Sequence, residues 1–435
     1  MKFVSFLFFV SLAHFLWQPV EAVGEDHSQE TAEAFPYGLV PEQKPDIPLS
    51  RAMNRVYEGS YGGLDCARNE FFTRFKYTPL QGFDYHGHDG TVSRRDATKV
   101  IRVNGKYYVW YTHRQTPTPP DYEGGAGETI PSRDWDLAEI WYATSKDGFV
   151  WEEQGVAVER MEKPNAGWRS VSTPDILVWK GKYYLYYQAY LMMPGSRTSS
   201  ATNGDDCPVS VSVADSPDGP WTPSNKIVVP NGPPGSWDQY VIHDPYPLVY
   251  NGKIYLYYKG EMGGQPPVRA QGLAIADDPL GPFKKHPLNP VINSGHETSL
   301  FPWGKGLAAI VSRHGLEHNT IQYAPDGVNF EVKAITGLMP IAPGAHVPDA
   351  FTNTDDGRGI TWGLCHFRNL GREDGRSHSM LARFDCDLSL DVHDPEMKES
   401  DIFVQPKIYF NFGLSEEQRK RLGAPAADPN FVIPE

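Results

Sequence analysis

The segment Asn104-Gly105-Lys106-Tyr107-Tyr108-Val109-Trp110-Tyr111 decides the fold. Asn-Gly suits a two-residue hairpin turn, because both central positions of a type I′ turn take positive φ. The aromatic run after it reads as a strand. The same unit recurs at Lys180-Gly181-Lys182-Tyr183-Tyr184-Leu185-Tyr186-Tyr187 and at Asn251-Gly252-Lys253-Ile254-Tyr255-Leu256-Tyr257-Tyr258. Weaker copies stand at Trp303-Gly304-Lys305-Gly306-Leu307 and Asp356-Gly357-Arg358-Gly359-Ile360. Second hairpins turn at Lys146-Asp147-Gly148, Pro217-Asp218-Gly219, Pro279-Leu280-Gly281 and Pro325-Asp326-Gly327, each followed by a bulky aromatic, Trp151, Trp221, Phe283 and Phe330. A four-stranded unit cannot bury two apolar faces alone, whereas units stacked radially around an axis can. The repeat predicts an all-β, five-bladed β-propeller; a β-sandwich or β-helix does not account for a repeated double hairpin.

Composition agrees. Of 435 residues 13% are aromatic, with 41 Gly and 38 Pro, a mixture that favours short strands and tight turns over long helices. Forty basic against 54 acidic residues give a formal charge of −14, which leaves no source for phosphate-backbone binding and argues against nucleic acid or anionic membranes as partners. Residues 1–22 read as an export signal: Lys2, an apolar run from Phe3 to Trp17 too short to span a bilayer, and a small-residue cleavage site at Val20-Glu21-Ala22. The mature protein is then periplasmic or secreted. Residues 23–92 read as a leader and N-terminal helical arm, 93–412 as the propeller, and 413–435 as a short helix and tail.

In the arm, Ser50 opens an amphipathic helix carrying Ala52, Met53 and Val56, and a second helix is expected from about Asp65 through Phe71, Phe72 and Phe75. Near the C-terminus, Ser415-Glu416-Glu417-Gln418 reads as a capping box and Gly423 as a helix stop. Of Cys66, Cys207, Cys365 and Cys386, the pair Cys365 and Cys386 is the most local disulfide candidate, against a reading as buried free thiols.

The repeat also locates a site. Nine residues before the turn Lys or Arg stand Thr173, Asp244, His296 and Asp349, and ten before Lys106 stands Asp96. Inner strands of propeller blades ring a channel, so these positions converge on one mouth. Strand alternation separates His296 from Glu297 unless the strand is bulged, and the register favours His296 inward. Paired carboxylates facing a cleft suit glycosidic bond cleavage. A histidine serves as the acid when a carboxylate neighbours it. Among the aromatics, Trp135 and Tyr246 are the candidate sugar platforms. No GxGxxG, P-loop or GxSxG is present. His314-Gly315-Leu316-Glu317-His318 matches HxxEH, but that zinc chemistry needs a helix, and Gly315 in a hairpin context argues for a strand or loop. His314 remains a candidate for lining the site.

These residues resemble a known family. Ser50-Arg51-Ala52-Met53-Asn54-Arg55-Val56-Tyr57-Glu58 is similar to the SxAxxRxx(D/E) signature of glycoside hydrolase family 117, the α-1,3-(3,6-anhydro)-L-galactosidases acting on neoagaro-oligosaccharides, with Glu58 where Asp is usual. Ser93-Arg94-Arg95-Asp96, Ser172-Thr173-Pro174-Asp175, His243-Asp244-Pro245-Tyr246-Pro247 and Gly295-His296-Glu297 resemble its active-site segments, in order. The resemblance implies an exo-acting, inverting enzyme on a neutral oligosaccharide of red-algal galactan, and a homodimer formed by exchange of N-terminal helices. It also implies Asp96 as general base, His296 as general acid and Asp244 as the carboxylate that orients substrate and tunes the acid. Glu297 would support His296, and Thr173, Gln188, His243 and Trp135 would contact sugar. Arg94 and Asp349 are added from proximity and register. No cofactor is required; some family members hold a divalent cation near the channel, and no ligand spacing here establishes one. The competing readings are an arabinanase or xylosidase with Glu297 as acid, and a non-catalytic glycan-binding propeller.

Overall fold

The computed structural model describes residues 43–58, 69–121, 125–194, 207–233, 236–239, 241–262, 268–315, 317–370, 377–399, 411 and 414–432. The expected export signal and leader, Cys66 and the Gly62-Gly63 helix stop lie outside them. The described chain is all-β, with helices α1 (Arg51–Glu58) and α2 (Glu416–Leu422) and two short 3-10 turns. No described helix is long and apolar enough to cross a membrane.

The strands pair antiparallel in five units. The first contains Val92–Arg95, Ile101–Val103, Lys106–Gln115, Glu139–Ser145 and Trp151–Val158. The second is Ser170–Trp179, Lys182–Tyr190, Val209–Ala214 and Thr222–Val229. The third is Val241–Tyr250, Lys253–Met262, Val268–Ala276 and Lys284–Lys285. The fourth is Ser299–Gly304, Gly306–Val311, Thr320–Ala324 and Glu331–Ile335. The fifth joins Gly344–Ala345, Gly357–Leu370 and Ser377–Ser389 to Lys76–Pro79 from the N-terminal side. The sheet body therefore begins at Lys76 rather than at the expected residue 93, because the last unit takes its outer strand from the other end of the chain.

The turns have the predicted chemistry. Asn104 and Gly105 lie at φ 50° and 81°, Lys180 and Gly181 at 49° and 79°, Asn251 and Gly252 at 50° and 68°. The strands after them are buried on both faces, and alternation sends their side chains to two different neighbours. Tyr108 and Trp110 enter a core with the second unit, whereas Val109 and Tyr111 enter one with the fifth. Tyr184 and Tyr186 face the third unit, and Leu185 and Tyr187 the first. Two further cores join the third unit to the fourth and the fourth to the fifth. The five cores thus form a closed circuit.

The aromatics after the second hairpins interlock these cores by packing back onto the preceding unit. Trp221 meets Trp110 edge-on at 5.7 Å, Phe283 meets Tyr186 at 6.1 Å and Phe330 meets Tyr257 at 6.1 Å. Such pairs contribute about 0.5–1.5 kcal/mol each beyond area burial.

Helix α1 docks within the same chain. Ser50 Oγ donates to the carbonyl of Pro290 at 2.7 Å, and Arg55 forms a two-pronged buried ion pair with Glu317 at 2.7 and 2.9 Å. Phe71 lies in a turn, and Phe72 and Phe75 in irregular chain before Lys76–Pro79, all within the core between the fourth and fifth units. They are not helical as expected, because their apolar side chains insert into a sheet interface. Cys365 and Cys386 are buried free thiols, so the local disulfide does not form. Cys365 is opposite Ala382 in the ladder, four residues short of Cys386. At the C-terminus, Ser415 and Gln418 complete the capping box and Gly423 closes α2 at φ 62°.

Candidate active site

Five short segments, one from each unit, meet around a small inner cavity of about 30 Å³: Asp96-Ala97, Thr173-Pro174-Asp175, Asp244-Pro245-Tyr246, Glu297-Thr298 and Ala342-Pro343. The first residue of each has left-handed backbone: Asp96 at φ 53°, Thr173 at 45°, Asp244 at 53°, Glu297 at 59° and Ala342 at 49°. Non-glycine residues seldom adopt this conformation, a β-branched threonine least of all, and such strain concentrates at functional sites. In the second and third units the ladder slips at this point, between Ser172 and Asp175 and between His243 and Tyr246. The bulge turns the strand so that the residue points along the inner ring.

The true register corrects two expectations. The fourth axial residue is Glu297 rather than His296, and the fifth is Ala342 rather than Asp349. Counting back a fixed number fails because the segments before the fourth and fifth units are irregular. Asp349 instead accepts the backbone N–H of Arg358 at 2.8 Å, binding its own turn, and lies outside the cavities. Glu297 and His296 nevertheless both face the site, since the chain there is not a regular strand.

Above the ring opens a cavity of about 450 Å³ whose lining includes Trp135, Thr173, Gln188, His243, Asp244, His296 and Glu297. That volume is of the order that small ligands occupy. Asp96 Oδ2 receives Arg95 Nε at 2.7 Å, Thr173 Oγ1 at 3.1 Å and Thr112 Oγ1 at 3.2 Å, while its Oδ1 has no hydrogen bond. Arg95 also reaches Glu297 Oε1 through Nη2 at 3.0 Å and lies over the Trp135 ring at 4.7 Å. Asp244 Oδ2 accepts the Glu297 N–H at 3.0 Å and has Lys259 Nζ 3.3 Å away. His296 Nε2 lies 3.8 Å from Glu297 Oε1, and Arg313 Nη2 faces its Nδ1 at 3.3 Å. Gln188 accepts the Asp244 N–H at 3.3 Å and donates to Tyr190 Oη, which in turn meets His243 Nε2 at 3.1 Å and receives Trp135 Nε1 at 3.1 Å.

Arg94 does not reach the site. It pairs with Glu153 at 2.8 and 2.6 Å and lies over Tyr85, because alternation along Val92–Arg95 sends its side chain opposite to Arg95. Tyr246 lies beneath the ring, bonded to Ser299 and with Lys99 Nζ 3.6 Å over its face, so it is not a platform in the open cavity. Sequence reasoning missed Arg95, Lys259, Arg313, Tyr190 and His366. Two of them had a signal: Tyr190 follows Gln188 by two residues on one strand, and Lys259 pairs His243 across the hairpin. HxxEH forms no zinc site, since Glu317 is taken by Arg55 and the segment is not helical, while His314 stacks on His296 with centroids 5.0 Å apart.

The electrostatics separate the acids. Burial raises Asp96 above the usual carboxylate range, with Arg95 opposing and Glu297 adding to the rise. Asp244 is likewise raised by burial, against Lys259. Burial alone would raise Glu297 too, but His296, Arg313, His366 and Arg95 hold it well below the ordinary range. His296 is pushed well below an ordinary imidazole by burial and by Lys259. Asp96, Glu297 and His366 offer three ligand atoms within 4.8 Å of one another. Arg95 bridges the two carboxylates, and the Asp96 N–H engages His366 Nδ1 at 3.3 Å.

Antiparallel sheets around a cavity lined by carboxylates and a histidine fit a carbohydrate-cleaving enzyme. Comparison with known proteins agrees. The structure of Zg3597, a family 117 glycoside hydrolase produced by the marine bacterium Zobellia galactanivorans, is 56% identical, with a TM-score of 0.72 over 79% of this chain and 98% of that one. The chain belongs to glycoside hydrolase family 117. Residues 129–267 match the family model for glycosyl hydrolases family 43. The structure of BT0996 in an RGII complex shares the fold at 13% identity and a TM-score of 0.50, over 72% of this chain and 92% of that one. No curated protein matches the chain.

Proposed function

We propose that this protein is an exo-acting, inverting glycoside hydrolase that releases 3,6-anhydro-L-galactose from the non-reducing end of neoagaro-oligosaccharides. The observation that carries the reading is the convergence of Asp96, Asp244, Glu297 and His296, from three units of the fold, on two adjoining cavities that share Asp244 and Glu297. Asp96 is the general base: burial brings its carboxylate nearer the working pH, where a base is most effective. His296 is the general acid by position, its Nε2 3.9 Å from Asp244 Oδ2 and 3.8 Å from Glu297 Oε1; burial and Lys259 favour the neutral ring and Glu297 opposes them, so the ring gives up its proton readily once charged. Asp244 orients substrate and tunes His296. Glu297 is a poor proton donor because two guanidiniums hold it ionised, which disfavours the arabinanase-like alternative. Thr173, Gln188, His243 and Trp135 face the sugar.

The closed circuit of five cores supports a five-bladed propeller. A homodimer made by exchanging α1 would put the Arg55–Glu317 contact between subunits. With its export signal, the enzyme works in the periplasm or outside the cell, and no metal is required. Incubation with neoagarobiose, with the anomeric product followed by NMR, tests the function. Release with inversion is expected, lost by a factor of about 10² to 10⁴ in Asp96→Asn and His296→Ala. A product of retained configuration, or binding without turnover, would sink it.

A further inference from the structure

Asp96 is held through one oxygen only. Its Oδ2 receives Arg95 Nε at 2.7 Å, Thr173 Oγ1 at 3.1 Å and Thr112 Oγ1 at 3.2 Å. Its Oδ1 is buried without a hydrogen bond, with His366 Nδ1 3.5 Å away. An ionised carboxylate accepts through both oxygens, so three donors crowd one of them and leave the other whole. A buried polar oxygen is seldom left in that state without a task. Asp96 also lines the inner cavity of about 30 Å³, which has room for a water.

Thr112 does more than supply a donor. It is fully buried in Lys106–Gln115, opposite Arg95 in the ladder. Its Oγ1 also accepts the backbone N–H of Thr173 at 2.7 Å. A hydroxyl has one proton to give, an amide N–H can only donate and an ionised carboxylate can only accept, so the direction of both bonds follows. The Thr173 N–H points to Oγ1, and the Thr112 hydroxyl proton points to Asp96. One side chain of the first unit thereby ties Asp96 to the second unit at the residue where that unit is left-handed, Thr173 at φ 45°.

We infer that Thr112 is a positioning residue for the base: by holding Asp96 Oδ2 and the Thr173 N–H together, it fixes the carboxylate so that Oδ1 takes the proton of the attacking water. The water oxygen bonds the anomeric carbon as the glycosidic bond breaks, the water's proton passes to Oδ1, and the leaving oxygen takes the proton of His296. This rests on the glycosidase reading above and adds a residue that lines neither cavity and so acts on the sugar only through Asp96.

The test is steady-state kinetics of the full-length protein, per folded enzyme by circular dichroism, on neoagarobiose and on an aryl glycoside of the same sugar. Thr112→Val is expected to lower kcat about 10- to 100-fold, the loss of one hydrogen bond to an ionised group read as a rate, with KM within about threefold. Thr112→Ser keeps the hydroxyl and recovers most of that loss. The deficit persists on the aryl glycoside, whose leaving group no longer needs the acid but still needs the base. In an Asp96→Asn background, adding Thr112→Val costs less than about threefold, since a residue acting through the base has nothing left to act on. An unchanged kcat, an equal loss in Thr112→Ser, relief by the aryl leaving group, or the full loss repeated on top of Asp96→Asn overturns the inference and leaves the hydrolase reading standing. No hydrolysis of either substrate by the unsubstituted enzyme overturns both. If Thr112→Val does not fold, Thr112→Ala is read in its place by the same outcomes.

Discussion

His296 Nε2 stands 3.9 Å from Asp244 Oδ2, and the same oxygen faces Lys259 Nζ at 3.3 Å. A carboxylate placed between an acid and a cation sets how readily the acid holds its proton. In Asp244→Asn the positive charge of Lys259 acts on His296 against Glu297 alone, and the imidazole gives up its proton at lower pH. The acid must be protonated to act, so the alkaline limb of the kcat/KM profile is expected to move to lower pH, with kcat reduced about 10²-fold. An unmoved limb would show that His296 is not the acid or that Asp244 does not tune it.

Arg95 ties Asp96 to Glu297, and both carboxylates are buried. Truncating one partner of such a set leaves buried charge uncompensated and typically costs about 3–5 kcal/mol. Arg95→Met is therefore expected to lower the stability measured by urea unfolding by that order. Arg94→Met, which breaks the pair with Glu153 away from the cavity, should leave substrate affinity unchanged in the fraction that folds. The opposite result would move the site to the other face of the strand.

The motif of helix α1 makes a similar contrast. Arg55 and Glu317 are almost fully buried, whereas Arg51 meets Glu331 in partial exposure. Arg55→Ala should cost about 3–5 kcal/mol and Arg51→Ala at most about 1 kcal/mol. Light scattering across a concentration series reports whether the Arg55 contact also holds two subunits together; a dimer unaffected by Arg55→Ala excludes helix exchange as its basis.

Acid should destabilise the protein well above the carboxylate range. Burial holds His366 and His113 down to about 3, and His346 down to about 4. Between these values and an ordinary imidazole near 6.5 the unfolded chain binds more protons than the folded one, so stability is fully present above about pH 6.5 and is lost as pH falls. The raised carboxylates Asp96, Asp175 and Asp244 act in the other direction, gaining protons in the fold first. The melting temperature is expected to fall from pH 7 to pH 5, and less steeply in His366→Asn. An identical slope in the variant would remove His366 as a contributor.

Dialysis against a chelator should leave kcat/KM within about twofold, because Arg95 already supplies the positive charge between Asp96 and Glu297. A loss that one divalent cation restores would assign Asp96, Glu297 and His366 to a metal instead.

The all-β class, the hairpins and Asp96, Thr173 and Asp244 as inward residues were legible in the sequence, because turn chemistry and strand alternation act over a few residues. Asn104-Gly105 needs positive φ wherever it stands, and Tyr108 and Val109 face opposite sides of any strand. The family signature is equally local in form. What the tertiary structure decided depends on where the chain bends away from regularity. The strand slips before Asp175 and before Tyr246, the left-handed backbone at Glu297 and Ala342, and the outer strand at Lys76–Pro79 all arise from packing five units on one another. A one-residue change turns a side chain to the other face, which is why Arg94 falls away from the site while Arg95 enters it, and Asp349 falls away because the irregular segment before the fifth unit brings Ala342 to the ring instead.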